Sequence, residues 1–390
     1  MVRIGLHWPQ SASGWMGGVI HSENTLRSLV LVDRTDVEVV VFEPHGGDFN
    51  RLSRPAFPGV AYVDYDQAWG NSLAVRAPRA ARRTMGIPAP QMAAVVRDAA
   101  LDVVFYNLDV NENLLVPWIA WIADFQHMHC TQYFSRQQIR ARNHWLRRLA
   151  YRGSLVMLSS RDAERDFGIL APEYAAKSRV VPFATTLPDE YYVQDAADAA
   201  ATAGIEHPYV VVPNQWWQHK NHETALRAAR LLKDQGSPLT WVFTGSLDDY
   251  RSPGHRPRMA QLIAELELGN SVRVLGSIPR MEQVQLLRDC DLIVQPSLFE
   301  GWSTVVEDAK ALGQRIVLSD LPVHREQEPP AALFFDPMSP QDLVLQVTAV
   351  LDGAVERVDE VVARAAAERS AREFGLRLID VCLEAASMRR

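Results

Sequence analysis

The chain has 390 residues, 47% of them hydrophobic and 22% charged, which is ordinary for a globular protein and long enough for two domains with separate cores. A formal net charge of −7 offers no basic field, so no nucleic-acid partner is expected. The three cysteines, Cys130, Cys290 and Cys382, are sparse and odd in number, which argues against a disulfide scaffold, and no run of about 18 apolar residues offers a membrane span.

The opening "MVRIGLHWPQ" reads as a strand without the apolar region of a signal peptide, so a cytoplasmic protein is expected. Strand patterns follow at 2–8, 37–43, 102–107, 118–124, 154–160 and 178–183, with helical patterns between several of them. The Ala-rich stretch 193–207 has no pattern of its own, and the alternation then restarts at 209–214, 239–245, 272–276, 291–297 and 315–320. Helical spacing is clearest at 221–236 and 281–290. Strands alternating with helices of this length predict parallel βαβ sheets covered on both faces. Two such sets predict two Rossmann-like domains, 1–185 and 208–370, joined by a linker at 186–207. A last amphipathic helix at 373–388 has no strand after it and must dock elsewhere than the next slot of the second sheet.

Ligands of open α/β sheets bind beyond the carboxyl ends of the strands, so the exit loops carry the chemical reading. After the first strand comes "SASGWMGGVIHSENTLRSLVLV" (11–32). Its glycines do not make GxGxxG, which argues against a dinucleotide-dependent oxidoreductase. Gly17 and Gly18 at a helix start would let a phosphate or sugar approach backbone amides; the plain alternative is a tight turn. In "ADFQHMHCTQYFS" (123–135), Asp124, His127, His129 and Cys130 match no zinc spacing. His127 is either a hydrogen-bond partner for a polar ligand or a structural loop histidine.

In "PNQWWQHKNHETALRAARLLK" (213–233), Lys220 lies just before a helix start marked by Asn221 and Glu223. A lysine beside a helix N-terminus suits a pyrophosphate, because it adds a point charge to directional amides. The plain alternative is a solvated lysine. The stretch "PSLFEGWSTVVEDAKALG" (296–313) holds three carboxylates. Glu300 precedes a helix. Glu307 lies three residues after Thr304, the spacing of a capping box, so it either reaches back to an N-cap amide or faces a ligand. Asp308 projects about 100° further round the helix.

These residues resemble the retaining nucleotide-sugar glycosyltransferases of glycosyltransferase family 4. The likeness is strongest over 209–337 and weaker but colinear over 1–183. "PSLFEGWSTVVEDAKALGQRIVLSD" looks like the family's P-S-x-x-E-G-aromatic pattern with a second acid eight positions after the first. The Gly17-Gly18 loop, "ADFQH", "SSRDAERDF", Lys220, Gly245 after a strand and "FFDPMSPQDL" stand in the family's order. The resemblance implies a GT-B fold: two Rossmann-like domains with parallel sheets facing across a cleft, and a C-terminal helix at 371–390 returning to the N-terminal domain. It implies that Glu300 holds donor-sugar hydroxyls and that amides from Gly301 through Trp302 and Ser303 to Thr304 face the sugar and diphosphate. Asp308 is the second acid by ungapped count and would bind the ribose, with Glu307 as the neighbouring alternative. Lys220 matches the diphosphate lysine, and Gln215 stands where the family usually has arginine. His127 would lie near the donor sugar, and Gly18 would approach the donor phosphates or the acceptor.

The implied activity is metal-independent, retaining transfer of a hexose-type sugar from a nucleotide-diphosphate sugar to a glycan, lipid-linked or small-molecule acceptor, in polysaccharide or glycoconjugate biosynthesis. No cofactor beyond the sugar nucleotide is expected; "DYD" (64–66) and "DCD" (289–291) do not read as metal motifs. Two alternatives stay open: a GT-B nucleotide-sugar epimerase, and a non-catalytic nucleotide-sugar binding protein. The stretch 135–153 carries Arg136, Arg140, Arg142, Arg147, Arg148 and Arg152 without an acid. With Trp145, Leu146 and Leu149 it reads either as a peripheral contact with an anionic membrane or as an arginine-rich surface helix.

Overall fold

A computed structural model describes residues 1–7, 16–44, 60–65, 96–105, 114–193, 197–249 and 251–388. Gly14, Asp66 and the end of the 102–107 strand pattern lie outside the described residues. The strands are β1 (Val2–His7), β2 (Val37–Pro44), β3 (Ala61–Tyr65), β4 (Val103–Phe105), β5 (Trp118–Ile122), β6 (Leu155–Leu158) and β7 (Ser178–Val180), then β8 (Tyr209–Pro213), β9 (Thr240–Thr244), β10 (Val272–Gly276), β11 (Leu292–Gln295), β12 (Ile316–Ser319) and β13 (Ala332–Phe335).

Two parallel sheets form, in the orders β3-β2-β1-β4-β5-β6-β7 and β10-β9-β8-β11-β12-β13. Each winds outward from its first strand and then restarts on that strand's other side. The switch falls between β1 and β4 in one sheet and between β8 and β11 in the other, and such points open a crevice at the carboxyl ends. The sequence patterns locate eleven of these strands; β3 and β13 are additional. Both are edge strands, and the short runs "AYVDY" and "ALFF" carry little pattern.

The chain divides into two compact units. The first comprises Met1–Phe125, Arg140–Ala184 and Arg369–Arg390, and the second Gln126–Ile139 and Thr185–Glu368. In the second unit the sheet is buried on both sides. Val210 and Val212 enter one core with Trp241, Phe243 and Leu292, while Tyr209 and Val211 enter the other with Val242, Ile293 and Leu318. Alternate strand residues face opposite sides, so double-sided burial needs unbroken apolar runs such as "YVVVP", which is what the strands contain.

The helix Glu360–Ser387 has 28 residues, and among the described residues no strand follows it. Its later part belongs to the first unit. There Gly375 packs so closely on the helix Met16–Val32 that an added Cβ would stand 2.3 Å from the Ser28 carbonyl oxygen. Arg179 pairs with Glu384 in the same unit.

Candidate active site

The geometry is clearest at the switch point of the second sheet. The chain leaves β8 at Asn214, turns through Gln218–Lys220, and enters the helix His222–Asp234 at Asn221, which is left-handed at φ 57°, ψ 40°. Asn221 does not cap the helix with its side chain. Its Nδ2 instead donates to the carbonyls of Pro296 (2.9 Å) and Pro337 (2.8 Å). The Leu298 amide donates to the His219 carbonyl at 2.7 Å. These bonds tie the loop after β8 to the loop after β11, and Lys220 and Glu300 meet as a result.

Lys220 Nζ lies 2.6 Å from Glu300 Oε1, and the two side chains keep only 15% and 9% of their surface. The same Oε1 accepts from Gln295 Nε2 (2.8 Å) and Ser297 Oγ (2.7 Å). Gln295 is itself held, since its Oε1 accepts from Asn214 Nδ2 at 2.7 Å. A buried carboxylate is tolerable when it is paired and hydrogen-bonded in this way. All three bonds fall on one oxygen, and Oε2 takes none of them. Sequence reading singled out neither Asn214, Gln295 nor Ser297; a glutamine closing the apolar run "LIVQ" was the available signal.

The helix Thr304–Ala311 begins one residue earlier than expected. Ser303 is its N-cap, with Oγ accepting from the Val306 amide. The capping box expected from Thr304 and Glu307 is therefore corrected: Thr304 is already helical, and Glu307 turns away to Lys310 Nζ (3.1 Å) and Gln327 Nε2 (2.9 Å). Burial pushes the Glu307 carboxyl above its usual range, against the pull of Lys310. The Ser303 amide, expected to face a ligand, donates to Gln327 Oε1 at 3.1 Å. Asp308, almost fully buried, receives Arg280 Nη2 at 2.6 Å. Arg280 also donates to Gln283, which reaches Thr244 at the end of β9. Arg280 was not expected in the site. It sits on another helix, so no spacing could connect it to Asp308.

Gly245 follows β9 at φ 102°, and a Cβ there would fall 2.5 Å from the Asn214 carbonyl oxygen. Glycine is required on both counts. Gln215 is half-buried in the adjoining loop, and Gly301, Trp302 and Thr304 are half-buried around Ser303. His127 is buried in the short helix Gln126–His129, its ring edge-on to Phe134 at 6.4 Å. Gly17 and Gly18 stand in the first turn of the helix Met16–Val32 in the first unit, where the Gly18 carbonyl accepts from Ser22 Oγ at 3.0 Å. Asp124 pairs with Arg142. Among the described residues, no group of three or more His, Cys, Asp or Glu is placed to hold a metal ion.

Comparison with known proteins bears on the family likeness and the fold. The family described as Glycosyl transferases group 1 matches residues 196–368. A stretch of 115 residues is 35% identical to the N,N'-diacetylbacillosaminyl-diphospho-undecaprenol alpha-1,3-N-acetylgalactosaminyltransferase of Campylobacter jejuni, covering 29% of this chain and 27% of that protein. Among solved structures, Anabaena HepE in complex with UDP superimposes with a TM-score of 0.62 at 18% identity, over 99% of both chains. Sucrose-phosphate synthase from Thermosynechococcus elongatus does so with a TM-score of 0.65 at 16% identity, over 100% of this chain and 98% of that one. These likenesses, with the two parallel sheets, identify the fold as GT-B.

Proposed function

With residues 196–368 taken as a glycosyl transferases group 1 domain in a GT-B fold, we propose that the protein is a retaining glycosyltransferase that moves a hexose-type sugar from a nucleotide-diphosphate sugar. The observation that carries this reading is the Lys220–Glu300 pair at the switch point between β8 and β11. Breaking the bond from C1 to the diphosphate places negative charge on the leaving phosphate and oxocarbenium character on C1. A fixed cation and helix-start amides in a water-poor site stabilise that charge without reorganising. Lys220 is the cation. Glu300 Oε1 is pinned by its three donors, which leaves Oε2 for sugar hydroxyls. Asp308, presented by Arg280, is assigned to the ribose. His127 is assigned to the donor sugar. Gly18 is assigned to the donor phosphates or acceptor.

On this reading the acceptor attacks from the face that the diphosphate leaves, and the phosphate helps take the proton. No metal ion is required to share the charge. The acceptor is a glycan, a lipid-linked sugar or a small molecule, and the pathway is polysaccharide or glycoconjugate assembly. The Campylobacter relative's name supports a lipid-linked acceptor, and the UDP in the HepE complex makes UDP-sugars the first donors to test.

The arginine-rich helix Arg136–Arg152 supports a peripheral membrane contact in a reduced form. Leu146 and Leu149, expected on the membrane face, are buried in the protein. Arg142 and Arg147 are engaged with Asp124 and the Leu170 carbonyl. That leaves Arg136, Arg140, Trp145 and Tyr151 on the exposed surface. Among the described residues no helix is long and apolar enough to cross a membrane.

The test is product analysis of purified protein with UDP-, GDP- and dTDP-hexoses, with and without acceptor and with a chelator present. Acceptor-dependent release of the nucleoside diphosphate with retention at C1 is expected. Epimerised donor without acceptor would replace the transferase by an epimerase, and binding with no turnover against any acceptor would leave a binding protein.

A further inference from the structure

One buried cation of the second unit has no part in the chemistry just described. Arg251 lies in the loop after β9 and keeps only 8% of its side-chain surface, with Asp249 at 2%. Asp249 Oδ1 accepts from both the backbone amide (3.0 Å) and Nε (3.3 Å) of Arg251, while its Oδ2 accepts from the Gln218 amide (3.2 Å). The guanidinium carbon stands 4.8 Å from the Trp217 ring centre and 5.7 Å from that of Phe134. Its Nη1 donates to Gln126 Oε1 at 2.7 Å, and its Nη2 faces His219 Nδ1 at 3.5 Å. His219 is held neutral by burial, with the cations of Lys220 and Arg251 adding to the effect, so its ring nitrogen can accept.

Two chain segments far apart in sequence therefore meet on one planar group. One is the Trp217–Lys220 turn that delivers Lys220; the other is Gln126–Phe134, which carries His127. His129 reinforces the contact by stacking on Phe299, next to Glu300, with ring centres 5.2 Å apart. Arginine suits this role where lysine does not, because its flat fork bonds at the edge while its faces pack on rings. Asp249, Gln126 and His219 face its fork while Trp217 and Phe134 lie against its plane, so its task here is to hold rather than to bind phosphate.

We propose that Arg251 is a positioning residue of the donor site, fastening Gln126–Phe134, and with it His127, to the turn that carries Lys220. The proposal rests on the donor-site reading above for its effect on rate, though not for the fastening itself. A misplacement of about 1 Å can cost about 100-fold in rate.

The test uses Arg251→Met, which keeps the stem, and Gln126→Leu, which removes the acceptor on the fastened segment along with the rest of the carboxamide, should the first variant fold poorly. In hydrogen exchange, amides 127–134 are expected to exchange at least about 10-fold faster in either variant. The rate of transfer at saturating donor should fall by about 10- to 100-fold, while the dissociation constant for UDP stays within about 3-fold of wild type. Arg251→Met combined with His127→Ala should be no slower than His127→Ala alone, since the arginine acts through the histidine. Unchanged exchange in both variants, multiplying losses in the double variant, or weakened UDP binding at full turnover would each overturn the proposal. If the wild type neither binds UDP nor transfers sugar, the donor-site reading fails by itself, and the exchange arm still decides the fastening.

Discussion

Lys220 Nζ and Glu300 Oε1 are 2.6 Å apart although 80 residues separate them in the chain. The pair is nearly dry, so removing one partner strands the other's charge at a cost of about 3–5 kcal/mol. Lys220→Ala and Glu300→Ala should each lower transfer by at least about 100-fold, as expected for a lost transition-state contact. The same singles should also lower the thermal midpoint. The double variant Lys220→Met/Glu300→Gln removes both charges and should regain most of that stability while staying inactive. Recovery of activity together with stability would make the pair structural only, and wild-type rates in either single would remove it from the mechanism.

Glu307 and Asp308 are neighbours with different partners, and donor binding should separate them. Asp308→Asn weakens the bond to Arg280 and changes the group assigned to the ribose, so nucleoside diphosphate binding should weaken by about 10-fold, the worth of one charge-assisted bond. Glu307→Gln keeps the shape and can still bond Gln327, so binding should stay within about 3-fold and stability within about 1 kcal/mol. Calorimetric titration of both variants with UDP, GDP and dTDP decides the matter. A larger loss from Glu307→Gln would move the assignment by one residue.

Gly245→Ala places a Cβ 2.5 Å from the Asn214 carbonyl oxygen and forces alanine to φ 102°. Either the turn opens or Asn214 shifts, and with it the bond from Asn214 to Gln295 that steadies Glu300. We expect about 2–4 kcal/mol of destabilisation from the collision and the strain together, with transfer reduced more than folding alone explains. Gly375→Ala meets the Ser28 carbonyl at 2.3 Å in the first unit, and should cost similar stability without changing UDP binding. Chemical denaturation of the two variants, paired with calorimetry, tests both statements.

His207 lies between two carboxylates, with Nδ1 3.1 Å from Asp291 and Nε2 3.0 Å from Asp289. Burial lowers its pKa, but the bonds and charges of Asp291 and Asp289 outweigh this and raise it overall. The folded state therefore binds the imidazole proton more tightly than the unfolded chain does. The resulting stability is fully present below the unfolded value of about 6.5 and is lost as pH rises through the folded value. Thermal midpoints of wild type and His207→Gln should differ most near about pH 5.5 and converge above the folded value. A difference independent of pH would show that the imidazole contributes by packing instead.

The fold was largely legible before the structure. Parallel strands buried on both faces must be continuous apolar runs, and "YVVVP" and "LIVQ" announce themselves by that property alone. The strands β3 and β13 did not, because "AYVDY" is interrupted by Asp64 and "ALFF" has no β-branched residue. At the site, the carboxylates and Lys220 could be singled out because strand exits and helix starts are local features. Their partners could not. Asn214 and Gln295 look like ordinary loop and strand-end residues, and Arg251 is one of many arginines until Trp217, Phe134 and Asp249 surround it.

Local chemistry thus determined, from the sequence alone, two βαβ sheets and the strand exits and helix starts at which Lys220, Glu300 and Asp308 stand. The tertiary structure decided which groups share a proton or a charge: Glu300 with Lys220 instead of its neighbours in sequence, Asp308 with Arg280, and Glu307 with Lys310 and Gln327 instead of the helix start. Helix and strand periods are written in spacings of two to four residues. The pairing of buried charges is set by which distant elements the sheet order brings within about 3 Å of one another, and no spacing along the chain records it.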